Sequence, residues 1–412
     1  MGQVRRIAKY FRGSSHIHFP KSRLAPAASV YVRIETIISS MTQYVYIWMW
    51  HSKGFVMKRI AVLGLGKVGH LAAQLLHDLG LEVIGVDQLA QDGDTSFKIE
   101  KVDVSHDADV LKIFNSVDAV LSCLPYQLNI GLAKLAYQAK IHYFDLTEDV
   151  ETTKAIQTMG ETSAGLMAPQ CGLAPGFVGI VGASQISEFD TVRNCKMRIG
   201  ALPQHPTGHL GYAFNWSPAG VVNEYLNDSE VIENGVKKTV SSMEWHETII
   251  IDGLQLEAFT TSGGLGTMCD TYLGKVDELN YKSIRYPGHM EMMNFFFHEL
   301  LMREDRDRAS DILTHAKPPV SEDVVYAHIS TEGEINGATQ RKEFVRAYKP
   351  IMINDELKTA IAWTTAASVV AVIEMVQKKL LPQSGFLKQE DIPLDDFFST
   401  NTGRLYSENG KI

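Results

Sequence analysis

The chain has 412 residues, enough for two or three domains, with 45% hydrophobic and 21% charged residues as in ordinary globular proteins. A formal net charge of −9 argues against a nucleic-acid-binding surface as its main business. The four cysteines, at 123, 171, 195 and 269, have neither C-x-x-C pairing nor zinc spacing; no metal is expected, and a reduced, cytoplasmic setting fits better than a disulfide framework.

Residues 1–56 differ from the rest, carrying eight Lys/Arg against one acid, Glu35. Three readings compete for this atypical basic extension. One is an amphipathic, Arg-containing targeting segment. A second is a membrane-seeking helix from Val30 to Trp50, with Tyr44, Tyr46, Trp48 and Trp50 as interfacial aromatics. Arg33, Glu35 and Gln43 make that stretch a poor spanning helix, and no membrane partner is expected. The third reading, which is favoured, takes Met57 as the working start and the earlier residues as a poorly ordered upstream extension.

From Met57 the pattern is βαβ. Ile60–Leu63 is a short apolar run that reads as a buried parallel strand. It enters Gly64-Leu65-Gly66-Lys67-Val68-Gly69, a G-x-G-x-x-G, and apolar residues then recur at helical spacing from Val68 to Leu79. A second strand, Glu82–Val86, ends at Asp87. Strand, glycine turn, helix, strand and terminal acid within about 30 residues form the complete context of a dinucleotide site. Gly64 permits the tight turn, Gly66 lets a pyrophosphate approach the backbone, and Gly69 lets the helix pack on the strand. The helix start, at Lys67 and Val68, offers unpaired N–H groups to the phosphates. Asp87 accepts hydrogen bonds from the adenosine ribose. It also disfavours a 2′-phosphate, because like charges at 4 Å cost about 4 kcal/mol at an effective dielectric near 20. NAD is therefore expected over NADP, with NADP still possible.

Further along, Ile99–Val104 reads as a third strand ending around Asp103, a candidate cofactor contact. Asp107–Phe114 reads as a helix, Asp118–Cys123 as a buried strand, Ile130–Ala139 as a helix, and Ile141–Leu146 as another strand. Thr152–Ser163 follows as a helix, Leu166–Cys171 as a last short strand, and Gly172–Gly176 as a turn into a helix through Ile186. Ligands in open α/β sheets sit beyond the carboxyl ends of the strands. That rule selects Ser122, Cys123, Leu124, Pro125, Tyr126, Asp145, Thr147, Cys171 and Gly172 as the rim. After about residue 188, period-2 patterning at 193–199, 248–251, 256–260, 324–330 and 340–347 predicts a mostly antiparallel α+β region. A long Ala-rich helix is expected from Glu356 to Leu380, then a polar tail of little periodicity beyond Pro382.

Several blocks in this order resemble the saccharopine dehydrogenase-like superfamily, and most closely its lysine 6-dehydrogenase branch. They are the GLGKVG turn, LPYQLN at 124–129, GLAPG at 172–176, GALPQHP at 200–206, FNWSPAGVVNEY at 214–225, EAFTTSGG at 257–264 and IRYPGHMEMM at 284–293. The resemblance runs roughly from Met57 to Phe398. It implies a Rossmann dinucleotide-binding domain (57–187) and an inserted α+β catalytic and dimerisation domain (188–350). A C-terminal helix (351–398) returns to the first domain, and a tail covers 399–412. A homo-oligomer is implied by the resemblance alone. Two departures stand out: Asn129 replaces a histidine of the saccharopine reductases, and Ala174 replaces an aspartate, as in the lysine dehydrogenase pattern.

The reaction implied is NAD-dependent oxidation at the CH–NH group of an amino acid or amine. A lysine-like amine, with a reference pKa of about 10.4, must first be made neutral by desolvation or a base. Four side chains are candidates for catalysis. Tyr126 hydrogen-bonds the amine or positions the nicotinamide, or merely packs behind Pro125. Asp145 accepts a proton or holds an ammonium, or serves the N-terminus of the following helix. Cys171 contacts substrate or is a buried inert thiol. His289 shuttles protons or caps a helix spanning Met290–Met302. Arg285, with its planar fork, is the candidate for a substrate carboxylate, against a structural salt bridge. Asn129, Trp216, Ser217, Thr261 and Ser262 complete the candidate substrate contacts. Two other readings stay open: reduction of an imine formed by condensation, as in saccharopine or carboxynorspermidine formation, and a non-catalytic NAD-binding regulator.

Overall fold

The computed structural model describes residues 57–89 and 95–410. The readings made of residues 1–56 lie outside the described residues. The first sheet is parallel and contains β1 (Arg59–Leu63), β2 (Glu82–Val86), β3 (Lys98–Glu100), β4 (Ala119–Ser122), β5 (His142–Asp145), β6 (Leu166–Ala168) and a late strand, Gly385–Phe386. Its order places β1 between β4 and β2, so the crossover reverses direction beside β1 and opens a crevice there. The helices between its strands are α1 (Lys67–Asp78), α2 (Asp107–Phe114), α3 (Tyr126–Ala139) and α4 (Val150–Gly160). The βαβ reading thus corresponds to a Rossmann-type sheet.

Helix α5 (Phe177–Ser187) leads from this sheet to the second one. That sheet contains β7 (Thr191–Pro203), β8 (Ser229–Glu233), β9 (Val236–Val240), β10 (Glu247–Ile251), β11 (Leu254–Thr260), β12 (Val276–Arg285), β13 (Asp323–Ile335) and β14 (Ala338–Tyr348). All its pairings are antiparallel except β7 with β12. The helices on it are α6 (Pro218–Leu226), α7 (Met268–Tyr272), α8 (His289–Asn294) and α9 (Arg306–Ala316). α5 and α7 pack together on one face, and α6, α8 and α9 with their loops on the other.

Three boundaries differ from expectation. The third strand stops at Glu100, and Asp103 lies in the following turn, where its carboxylate accepts the Ser105 N–H at 2.9 Å. The last rim strand ends at Ala168, because Pro169 has no N–H to give the ladder and Gln170 takes φ +64°. The helix expected from Met290 to Met302 is broken: α8 ends at Asn294, a π-helical turn covers Phe295–Glu299, and Leu301 is left-handed at φ +57°.

The late helix also starts later than its composition suggests. Ile351–Ile353 (β15) and Glu356–Lys358 (β16) form a hairpin through Asn354-Asp355, both at positive φ, as a two-residue primed turn requires. Helix α10 then spans Ala360–Gln377, and its first N–H groups are capped by Asp323 of β13, at 2.6 and 3.0 Å to Ala360 and Ile361. It is long and apolar enough to cross a bilayer, yet 89% of it is buried within the protein, between α1 and the second sheet.

The tail is part of the core, contrary to its polar reading. Helices α11 (Leu394–Ser399) and α12 (Arg404–Asn409) follow the late strand β17 (Gly385–Phe386), which pairs with β6. Buried Glu374 of α10 accepts the Asn401 N–H at 2.9 Å. Tyr406 stacks on Phe177 with ring centroids 3.9 Å apart and meets Trp363 at 5.5 Å. Aromatic pairs at alternating distances in a loop-rich segment carry no period, which is why the pattern hid them. Tyr406→Ala is expected to cost about 3–5 kcal/mol, the usual cost of emptying a fully buried aromatic site. Urea denaturation of the two proteins reads this; a change below ~1 kcal/mol would mean that the tail does not belong to the core.

Candidate active site

The glycine turn is built as its spacing predicts. Gly64 sits at φ +84°, and its N–H bonds to the Val86 carbonyl at 2.8 Å. A Cβ at Gly69 would lie 1.8 Å from the Gly64 carbonyl oxygen, so only hydrogen lets α1 pack on the turn. A Cβ at Gly66 would meet nothing within 4 Å, leaving open space above the backbone where a pyrophosphate approaches. Asp87 accepts the Leu65 N–H with one carboxylate oxygen and the Leu89 N–H with the other, both at 2.8 Å. It therefore braces the turn from the end of β2. These residues fit a pyridine dinucleotide.

Beyond the turn lies a cavity of about 410 Å³ between the two sheets. Its Rossmann side is formed by Lys67, Val68, Cys123, Leu124, Pro125, Tyr126, Thr147, Glu148 and the 172–175 turn. Its opposite side is formed by Asn215, Trp216, Ser217, Glu224, Tyr281, Ser283 and Arg285. A volume of this order suits a small metabolite beside a nicotinamide ring.

Arg285 ends β12 and is 3% exposed. Its Nε–H donates to Tyr225 Oη at 2.6 Å and Nη1 donates to the Ile284 carbonyl at 2.8 Å. The guanidinium lies over the Tyr212 ring, 4.7 Å from its centroid. Burial opposes its charge, but the surrounding tyrosines and Glu224 outweigh that and hold it protonated. Nη2 has no hydrogen-bond partner among the described residues. The group is thus a fixed cation with an unused donor edge in the cavity.

His289 does not reach the cavity. Its Nδ1 bonds to the Leu210 carbonyl at 2.9 Å and its Nε2 to Tyr225 Oη at 2.9 Å. Burial first, and Arg285 second, push its pKa down to about 3, so it stays neutral. The network assigns the proton to Nδ1, so Nε2 accepts from Tyr225, whose oxygen accepts from Arg285. His289 therefore positions Arg285 and does not shuttle protons.

Other candidates are placed away from the cavity too. Asp145 accepts from the Thr147 and Gln170 N–H groups, each at 3.0 Å, and from Tyr143 Oη at 2.9 Å. Its carboxylate is spent tying β5 to the turn after β6, and burial raises its pKa to about 6. Cys171 is buried against the Ala168 carbonyl at 3.1 Å, and burial pushes its thiol far above the normal range. Asn129 is buried, its Oδ1 accepting from Ser122 Oγ at 2.7 Å, so both side chains face inward. Thr261 pairs its hydroxyl with Ser283 at 2.9 Å, and Ser262 donates its N–H to the Glu224 carbonyl at 3.0 Å. Both stand behind the lining. Asp103 is exposed in its turn. Cys123 lines the cavity, with its pKa pushed up to about 12 mainly by burial. Tyr126 lines it as a neutral hydroxyl, its pKa raised mainly by burial, and its Oη lies 3.5 Å from Asn223 Oδ1 on α6.

Sequence reasoning missed Tyr281 and Ser283 of β12, and two acids, Glu148 and Glu224. Glu148 follows Thr147 just beyond β5, where the rim rule points. Glu224 lies within the quoted FNWSPAGVVNEY block, four residues after Gly220 on α6. A Cβ at Gly220 would lie 2.9 Å from Glu148 Oε1 and 2.6 Å from the Trp216 ring, so the absent side chain makes room for the acid. Burial, with Asp149 and Asp145 nearby, raises Glu148 to about 7. Burial, then repulsion from Glu148, raises Glu224 to about 8 against the pull of Arg285.

Glycine turn, switch-point crevice and interlobe cavity together define a two-lobed dinucleotide-binding protein with a small-molecule site. Residues 60–165 match the family model described as the saccharopine dehydrogenase NADP binding domain, and residues 172–410 match the saccharopine dehydrogenase C-terminal domain. The chain belongs to the saccharopine dehydrogenase family. Its relatives include the mouse (Mus musculus) mitochondrial alpha-aminoadipic semialdehyde synthase, 24% identical over 257 residues, 58% of this chain and 28% of that protein. The Saccharomyces cerevisiae saccharopine dehydrogenase [NADP(+), L-glutamate-forming] is 26% identical over 154 residues, 35% of this chain and 34% of that one. The chain thus matches about a third or less of the length of these curated relatives. A solved structure of the L-Glu-forming yeast enzyme shares the fold, with TM-score 0.65 at 16% identity over 86% of this chain and 99% of that one.

The raised pKa of Glu224 makes a stability prediction. Its folded value lies above the unfolded value of about 4.3, so the folded state binds more protons between them and stability falls as pH rises through that window. Glu224→Gln removes the burden. Its Tm gain is expected to be on the order of 2–4 °C at pH 8.5, the shift about 1 kcal/mol produces, and to shrink towards zero near pH 5. Calorimetric scans at both pH values read it; a gain independent of pH would contradict a raised carboxyl.

Proposed function

We propose that this protein is an NAD-dependent dehydrogenase acting on the CH–NH group of an amino acid, in the manner of a lysine 6-dehydrogenase. The observation that carries the reading is the charge layout of the cavity: one fixed guanidinium, Arg285, and two carboxyls, Glu148 and Glu224, beside the Cys123–Pro125 rim. A carboxylate of the substrate docks on the open edge of Arg285, whose orientation is set by Tyr225, His289 and Tyr212. A substrate nitrogen lies towards the glutamates. Tyr126 and Ser283 supply neutral hydroxyls at the margins, and Trp216 and the 172–175 turn exclude water. When bound, the dinucleotide supplies the hydride acceptor. This chain's residues hold it with Gly64, Gly66, Gly69, Lys67 and Asp87.

The second reading, reductive or oxidative chemistry on saccharopine, is favoured by the names of the relatives. Saccharopine carries three carboxylates, and this cavity meets them with Arg285, two acids and, at the cofactor turn, Lys67. That mismatch supports a substrate with an extra amine. Turnover assays with L-lysine, other diamino acids and saccharopine, each with oxidised cofactor, separate the readings. Tight cofactor binding without turnover on any of them would favour the regulator.

Arg285→Met is expected to raise KM for a carboxylate-bearing amine about 30- to 100-fold, the loss of a bidentate charge-assisted contact of about 2–3 kcal/mol. An unchanged KM would remove Arg285 from substrate binding. NAD is expected to outperform NADP at equal concentration, and Asp87→Ser to narrow the gap by at least tenfold in kcat/KM. A native preference for NADP would overturn the role given to Asp87.

A further inference from the structure

We propose that Glu148 and Glu224, one from each lobe, form the subsite that receives the cationic nitrogen of an amine substrate, and that Glu224 takes that nitrogen's proton. The inference rests on the reading of the cavity as an amino-acid site. Glu224 is 5% exposed, lines the cavity, and its carboxylate meets no hydrogen-bond donor among the described residues. A buried, unpartnered carboxyl is costly and calls for an occupant. Glu148 reaches the same place from the loop after β5. Its Oε1 packs over Gly220, which lies one helical turn before Glu224 on the same face of α6. Gly220 and Gly263 have no side chains: a Cβ at Gly220 would strike the Glu148 carboxylate at 2.9 Å, and one at Gly263 would strike the Glu148 backbone carbonyl at 2.3 Å. The second lobe is therefore shaped around this residue.

The groups facing the pair settle what it takes. Asp145 and Asp149 are the acids nearest Glu148, Tyr281 and Tyr212 are neutral neighbours of Glu224, and Arg285 is the cation on the same side of the cavity as Glu224. Tyr126 faces Glu148, with Arg306 beyond it. Burial raises both carboxyls, and the charge of Glu148 raises Glu224 further, so the empty pair keeps a proton near neutral pH. An arriving ammonium supplies the missing countercharge, and the pair's proton leaves to solvent. The bound nitrogen then passes one proton to Glu224: an N–H bond breaks, a carboxyl O–H bond forms, and a neutral amine remains with its lone pair free. A basic amine is thereby made neutral inside the site at a pH well below its own pKa.

The test uses the full chain, alone and loaded with NADH so that no turnover occurs. Calorimetry with L-lysine and with L-norleucine, which keeps the α-carboxylate and lacks the side-chain amine, measures affinity. Repeating it in buffers of different ionisation enthalpy counts protons. The expected result at pH 8 is at least tenfold tighter binding of lysine, weakening to under threefold at pH 6, with close to one proton released at pH 7. Glu224→Gln should abolish the lysine advantage and the proton release and leave norleucine within twofold. Glu148→Gln should reduce both. Equal binding of the two ligands by the native protein, or a preference retained in Glu224→Gln, would overturn the proposal and leave the amino-acid reading intact. Failure of both ligands to bind in either cofactor state would overturn that reading and the proposal together.

Discussion

The cavity exists because two sheets share one hydrophobic core. Residues of β1 and α1, of α5, of β7 and β12, and of α10 belong to a single buried cluster that runs without interruption from the first sheet to the second. Phe177 at the start of α5 is its centre, surrounded by Phe344, Phe397, Phe398 and Tyr406. Apolar burial on this scale holds the lobes in register, and the polar groups that face each other across the gap acquire defined geometry at its margin. The chain's last segment matters here out of proportion to its length. It returns to pair with β6 and seals the core that began at Met57.

Electrostatics in the gap follow from that burial. On the second lobe, Arg285 is kept charged and aimed by a chain of Tyr225, His289 and the Leu210 carbonyl, each link using up a donor or an acceptor. Glu224 beside it and Glu148 on the Rossmann side have few partners, and their pKa values rise towards neutrality. A site with one satisfied cation and two under-satisfied acids is prepared for a ligand that brings the opposite pattern. Such unpaired buried charge is destabilising in isolation, and its persistence here is what links the fold to binding.

Much of the first domain was legible from the chain alone. A G-x-G-x-x-G can work only if glycine stands where φ is positive and where helix meets turn, and Gly64 and Gly69 obey both conditions. Asp87 was legible because a strand of fixed direction ends there. The rim at Cys123–Tyr126 was reached the same way, from its place at a strand's end, and Arg285 from its guanidinium chemistry within the IRYPGHMEMM block. Asp145, Cys171, Asn129 and His289 shared those signals, yet each is turned to an internal partner. Periodicity places a backbone position at a rim, and it carries no information on whether a carboxyl points into the gap or back at Thr147 and Gln170.

The sequence by itself therefore determined the order of strands and helices in the first domain, the dinucleotide turn and its acidic strand end, because these depend on local sterics and short-range spacing. Only the tertiary structure decided which acids face the cavity. Glu148 and Glu224 are 76 residues apart in the chain, and their lining of one cavity depends on how two lobes pack. It also decided that the polar-looking tail is core, since Tyr406 finds Phe177 through space and not through any repeat along the chain.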